Sequence, residues 1–197
     1  MEASALKQEA LSIIANLELF RLLAPYGYAQ LVGSVALDLI VKRDIDIHVL
    51  SPNPDLVAQA IEIAQRALEN QTIKQIRLSC YRNMPSNGAQ ALLITLEDFS
   101  GPSGLWSIEL WLTTDKAVTG IEKTEKLQEQ LTAAQRKIIM HIKTALHQKK
   151  LLSQGMSTKV YDAVIEHGIT TPQGFFAYLK QTAQSSKPQY TKTDPEK

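Results

Sequence analysis

Apolar and polar positions along this chain change period twice. Residues 4 to 24 repeat apolar side chains at helical spacing, with Leu6, Ala10, Ile13, Ile14, Leu17, Phe20 and Leu23 on one stripe. Pro25 and Gly27 end that helix, and Tyr28 to Val32 follows as a short strand. After Gly33-Ser34, residues 35 to 41 fit two turns of helix, and DIDIHVL at 44 to 50 alternates as a strand. Asn53 suits an N-cap and Pro54 the first helical position of a helix reaching about Leu68. Its expected buried stripe is Leu56, Val57, Ala60, Ile61, Ala64 and Leu68. Residues 73 to 82 and 90 to 97 read as strands joined by the turn-forming NMPSNG. A second turn signal, DFSGPSG, leads into a strand at 105 to 113.

From Ile121 to about Lys150 the period becomes helical again, with Leu127, Leu131, Ala134, Ile138, Ile142 and Leu146 near one face. Ser157 is placed to cap a further helix ending at Gly168, and Thr171-Pro172 to open another. These elements predict an α+β fold: a mixed, twisted sheet of about five strands with helices on one side, then a helical subdomain. The expected division is 1–117, 118–182 and a disordered tail over 183–197, where SSKPQYTKTDPEK is polar and aperiodic.

Composition narrows the function classes. Lys plus Arg is 21 against 20 for Asp plus Glu among 197 residues, so no broad basic channel is expected. That argues against polymerisation on nucleic acid. The single Cys80 excludes an internal disulfide and a cysteine metal cluster, fits a reducing cytoplasm, and reads as core filler in its strand. The start lacks a signal-peptide pattern, and no apolar run approaches the roughly 20 residues of a membrane helix.

The chemistry lies in GSVALDLIVKRDID, residues 33 to 46. Asp44 and Asp46 are two apart on a strand and share a face, with Ile45, Ile47 and Val49 on the other. Paired carboxylates invite a hard divalent cation and the phosphates it carries. A Gly-Ser turn opening a helix offers backbone N–H groups to phosphate. In SIELWL, Ser107, Glu109 and Trp111 share a strand face, so Glu109 is a third candidate acid, with Glu97 and Asp98 as rivals. Bland roles compete throughout. The aspartates could be surface acids paired with Lys42 and Arg43, Ser34 a simple cap, and His48 a satisfied strand histidine. Arg136, Lys137 and Lys143 read first as a solvated helical face.

Gly33-Ser34 followed by Asp44-Ile45-Asp46-Ile47, with Glu109 in an apolar-acid-apolar context, resembles the signature of the DNA polymerase β-type nucleotidyltransferase superfamily. The likeness covers roughly residues 28 to 113 and looks nearest to compact bacterial and minimal members. It implies transfer of a nucleoside monophosphate from an NTP, ATP foremost, to a hydroxyl of a small molecule or protein. It also implies two Mg²⁺ ions, or Mn²⁺ in their place, on Asp44, Asp46 and Glu109. Gly33, Ser34, Lys42 and Arg43 are then the nucleotide contacts. Family members also include antitoxin-type interaction proteins and lapsed enzymes that only bind nucleotide.

Overall fold

The computed structural model describes residues 3–82, 89–153 and 155–185. The NMPSNG turn and the expected tail beyond 185 therefore lie outside the described residues. The chain divides into two compact units, Met1–Thr132 and Ala133–Lys197.

The first unit begins with α1 (Ala3–Asn16) and α2 (Leu19–Leu23). A single helix over 4 to 24 is not formed, because Glu18 takes a left-handed conformation (φ 47°). That kink turns Leu19 and Leu23, both fully buried, into the core. A 3₁₀ turn at Ala24–Tyr26 precedes β1 (Tyr28–Val32), which runs into the one-turn α3 (Gly33–Ala36), shorter than the spacing predicts. β2 (Asp44–Leu50), α4 (Leu56–Leu68), β3 (Gln75–Tyr81), β4 (Ala91–Gly101) and β5 (Gly104–Thr113) follow. α5 (Ile121–Gln130) closes the unit.

The sheet order is β1-β2-β5-β4-β3. β2 and β5 are parallel, and the other three pairings are antiparallel. Ile45, Ile47 and Val49 of β2, Ile108, Leu110 and Leu112 of β5, and Leu92, Ile94 and Leu96 of β4 fill one face. They form one core with α1, α2 and α4. The opposite face carries the acids. β4 continues past the expected turn to Gly101, with an irregularity between Leu96 and Phe99 where Asp98 is left-handed (φ 53°). Asp98 is thus a bulge residue, and Pro102-Ser103 make the hairpin tip.

Three local expectations are corrected. Asp55, not Asn53, caps α4: its side chain accepts from the Ala58 N–H at 3.0 Å, and Asn53 Oδ1 accepts from the Asp55 N–H at 2.9 Å. Gln59 is buried, accepting from Ser51 Oγ at 2.8 Å and donating to the Asn53 and Asp55 carbonyls, both at 3.0 Å. These bonds rotate the helix, so Ile63 and Ala67 are buried while Val57, Ile61 and Leu68 are exposed. Cys80 is exposed rather than core filler, because β3 is an edge strand and the pattern of one strand does not say where it lies in the sheet.

The long helix expected from 121 is two helices. Leu131 adopts extended backbone (φ −70°, ψ 115°) and buries its side chain, so α5 ends at Gln130 and α6 (Ala133–Gln148) starts the second unit. α7 (Met156–Ile165) and α8 (Pro172–Ser185) pack on α6 around Ile139, Ile142, Val160 and Phe175. Lys143 is not on a solvated face; it is fully buried, with Nζ donating to Tyr161 Oη at 3.2 Å. Among the described residues, no helix is long and apolar enough to cross a membrane.

Candidate active site

β1 and β2 bring the Gly-Ser turn against the acid pair. Val32 pairs with Asp46 in the antiparallel register, so the chain leaving β1 passes beside that carboxylate. Gly33 is left-handed (φ 65°), and a Cβ there would sit 3.0 Å from Asp46 Oδ2. Both facts require glycine. The turn is held from a third side. The Gly33 N–H donates to Thr124 Oγ1 of α5 at 3.2 Å, and Gln128 Nε2 donates to the Ala36 carbonyl at 3.2 Å. Ser34 is buried at the start of α3, and its carbonyl accepts from the Leu39 N–H at 2.9 Å.

The parallel pairing of β2 with β5 sets Asp44 opposite Ser107, Asp46 opposite Glu109 and His48 opposite Trp111. Glu109 is opposite Thr95 of β4, and Thr95 opposite Arg77 of β3. One row across the sheet therefore reads Val32, Asp46, Glu109, Thr95, Arg77. Thr95 is buried, and its hydroxyl has no hydrogen-bond partner among the described residues. Glu97, a rival third acid, is occupied at the β3 edge, where Arg77 reaches it at 2.7 Å and Gln75 Nε2 donates to it at 2.6 Å.

Three carboxylates on one face of two adjacent strands are the oxygen donors a hard divalent cation takes, so the donor set fits Mg²⁺ in chemistry and register. The side chains are not drawn around one point. No three acidic, histidine or cysteine groups among the described residues are close enough to hold a metal as they stand. Two of the acids are turned to other partners: Lys42 Nζ lies 3.3 Å from Asp44 Oδ2, and the Trp111 indole N–H donates to Glu109 Oε2 at 3.3 Å.

The remaining predicted residues divide. Lys42 stays with the acids. Arg43 does not: one residue before Asp44, it faces the other way, and its Nε donates to Ser103 Oγ at 2.7 Å at the hairpin tip. Glu9 of α1 completes that cluster, accepting from the Ser103 N–H at 3.0 Å and the Trp106 indole at 2.7 Å. Burial works to raise the Glu9 pKa, but the hydrogen bonds from Ser103 and Trp106 and the nearby Arg43 charge leave it lowered. Arg43 thus secures the hairpin and sits apart from the turn that would meet phosphate.

His48 is a satisfied histidine. Its Nδ1 accepts from the Gly120 N–H at 2.9 Å, and burial pushes its pKa down to about 4. His48 and Thr124 together fasten α5 to the acid face. Neither role has a local sequence signal: Thr124 lies in the polar run IEKTEKLQEQ, and its partner is 91 residues away.

No protein-family model matches the sequence, and no curated protein matches it. Solved structures do match in fold. The Cid1 poly(U) polymerase bound to MgATP superposes with a TM-score of 0.58 at 16% identity, over 84% of this chain and 51% of that one. The GLD-2/RNP-8 complex gives 0.55 at 15%, over 93% and 59%. A cytoplasmic RNA terminal U-transferase gives 0.52 at 14%, over 81% and 46%. The chain therefore has the nucleotidyltransferase fold, and it spans about half the length of the structures it matches. Two of these neighbours are named for work on RNA or poly(U), so an expectation against nucleic acid drawn from net charge finds no support in them.

Proposed function

We propose that this chain is a metal-dependent nucleotidyltransferase, moving a nucleoside monophosphate from an NTP to an acceptor hydroxyl. The observation that carries this is the in-register row of Asp46 and Glu109 with Asp44 one step away, set against the Gly33-Ser34 turn. Asp44, Asp46 and Glu109 would hold Mg²⁺, and a pair of such ions supplies charge stabilisation to both the attacking and the leaving oxygen. The fold neighbour bound to MgATP supports the same cofactor and donor. In the reaction the acceptor oxygen bonds to the α-phosphorus as the bond to the bridging oxygen breaks, and pyrophosphate leaves. Glu109, farther than Asp46 from the Gly-Ser turn, would take the hydroxyl proton. A small-molecule or protein hydroxyl is one acceptor class; the end of an RNA is the other.

The test is calorimetric titration of ATP, UTP, CTP and GTP with Mg²⁺ or Mn²⁺ into wild type and Asp46→Asn. Wild type should bind at least one NTP only with metal, and the variant should lose that binding while its unfolding curve is kept. Metal-independent binding, or equal binding by the variant, would refute the assignment.

A further inference from the structure

Beyond Glu109 the acid face of the sheet carries aromatic rings that the transfer chemistry does not use. Trp111 lies between His48 and Tyr81, at ring-centre distances of 6.0 Å and 5.1 Å. Trp111 belongs to β5 and Tyr81 to β3, with β4 between them. Strands two apart are separated by about 10 Å. A 5.1 Å contact therefore needs both rings to lean together over β4. What allows it is Ala91, opposite both Tyr81 and Thr113, which fills little of that space. The indole N–H is bonded to Glu109 Oε2, fixing the ring relative to the third carboxylate. All three rings are half-buried, so each keeps accessible surface.

Position says which ligand would use them. The Gly33-Ser34 turn is on the β1 side of the acids, and the Trp111–Tyr81 pair is on the β3 side. In an in-line displacement the attacking oxygen and the departing pyrophosphate are on opposite sides of the phosphorus. With the triphosphate on the β1 side, the acceptor enters from the β3 side. There Lys74 and Arg82 flank β3, both exposed, and β3 itself has no acidic residue, while Arg77 is paired with Glu97 of β4. A planar group stacked on Trp111 and followed by phosphates would meet that basic edge.

We propose that Trp111 and Tyr81 stack the terminal base of a single-stranded polynucleotide acceptor, and that the β3 edge takes its phosphates. This rests on the nucleotidyltransferase reading of the same site. Stacking on aromatic side chains tolerates sequence because every base has a π-face.

The test measures binding of labelled oligouridylate and oligoadenylate to the full chain by fluorescence anisotropy, in chelator and without NTP. Trp111→Leu should weaken both about tenfold, whereas Trp111→Phe, which keeps a ring, should stay within about twofold. Lys74→Gln with Arg82→Gln should lower the salt slope of binding by about one for each charge removed that meets a phosphate. Equal binding by Trp111→Leu and wild type would overturn the proposal. So would a variant that loses Mg-NTP binding but keeps oligonucleotide binding, because the rings would then serve the donor base. Trp111-dependent oligonucleotide binding without any transfer would sink the transferase reading and leave the stacking site standing.

Discussion

Replacing Gly33 by alanine tests the junction between the turn and the acid pair. Two costs are separable. An L-residue at φ 65° is in the left-handed region, worth about 1–2 kcal/mol of strain for a side chain without a local hydrogen bond. The new Cβ also meets Asp46 Oδ2 at 3.0 Å, so the carboxylate must shift by a few tenths of an ångström. The first cost appears in stability and the second in function, since Asp46 is the acid nearest the turn. Both tryptophans, Trp106 and Trp111, belong to the first unit, so urea unfolding followed by tryptophan fluorescence reads that unit by itself. Gly33→Ala should lose about 1–2 kcal/mol there and weaken metal-dependent NTP binding as well. In an Asp46→Ala background the carboxylate is gone but the backbone strain remains, so Gly33→Ala should still cost about 1–2 kcal/mol and the two substitutions should be additive in stability. Unchanged stability with unchanged NTP binding would refute the account of the turn. Lost stability with unchanged NTP binding would remove the contact with Asp46 from it.

Two further outcomes check the frame around the site. His48 has its pKa pushed down to about 4 in the folded chain, below the 6.5 of a free histidine, so the unfolded chain takes up the proton first. Its contribution to stability is full above pH 6.5 and is lost as pH falls towards 4. The difference in urea stability between wild type and His48→Asn should therefore shrink on acidification through that window, and a pH-independent difference would exclude His48 as the cause. Glu9→Ala leaves the Trp106 indole N–H, in a side chain 1% exposed, without the acceptor it now has at 2.7 Å. That should cost about 1–3 kcal/mol by urea unfolding, with Glu9→Gln, which keeps an oxygen, costing less.

The shared strand faces of the candidate acids were legible because β-strands alternate with a strict period of two. That period places Asp44 and Asp46 on one face of β2 and Glu109 with Trp111 on one face of β5, and the register sets them side by side. Arg43 precedes β2 in a bend, and its side chain goes to the hairpin tip, away from the acids. Charge alone made it look like a phosphate ligand. The strands over 28 to 32 and 44 to 50 were readable to the residue, whereas helix limits were not. Glu18 and Leu131 interrupt apolar periods that continue across them, because burial of Leu19, Leu23 and Leu131 outweighs helix continuity. The rotation of α4 depends on Gln59 being satisfied by Ser51 and two carbonyls, partners that only tertiary structure supplies. Edge placement of β3, and with it the exposure of Cys80, is a property of the whole sheet.

The side-chain partners of the carboxylates bear on how the site would load. Lys42 holds Asp44 at 3.3 Å with its side chain 44% exposed, and a pair of that kind is worth about 0–1 kcal/mol. The bond from Trp111 to Glu109 is long, at 3.3 Å, and an ordinary one to a charged group contributes about 1.5–3 kcal/mol net. Gathering both acids around a cation thus costs at most a few kcal/mol. A ligand at about a hundred times its dissociation constant supplies roughly 2.7 kcal/mol, which is comparable. Neither partner is wasted by the movement. On the proposed function, Lys42 released from Asp44 would be available to a phosphate oxygen, and Trp111 freed from Glu109 would keep its ring against Tyr81. The contacts that keep the carboxylates apart are therefore weak enough to be exchanged if, as proposed, a metal-bound nucleotide is the ligand. The hydrogen bonds beneath them, from the Gly33 N–H to Thr124 and from the Gly120 N–H to His48, involve neither Asp44 nor Glu109.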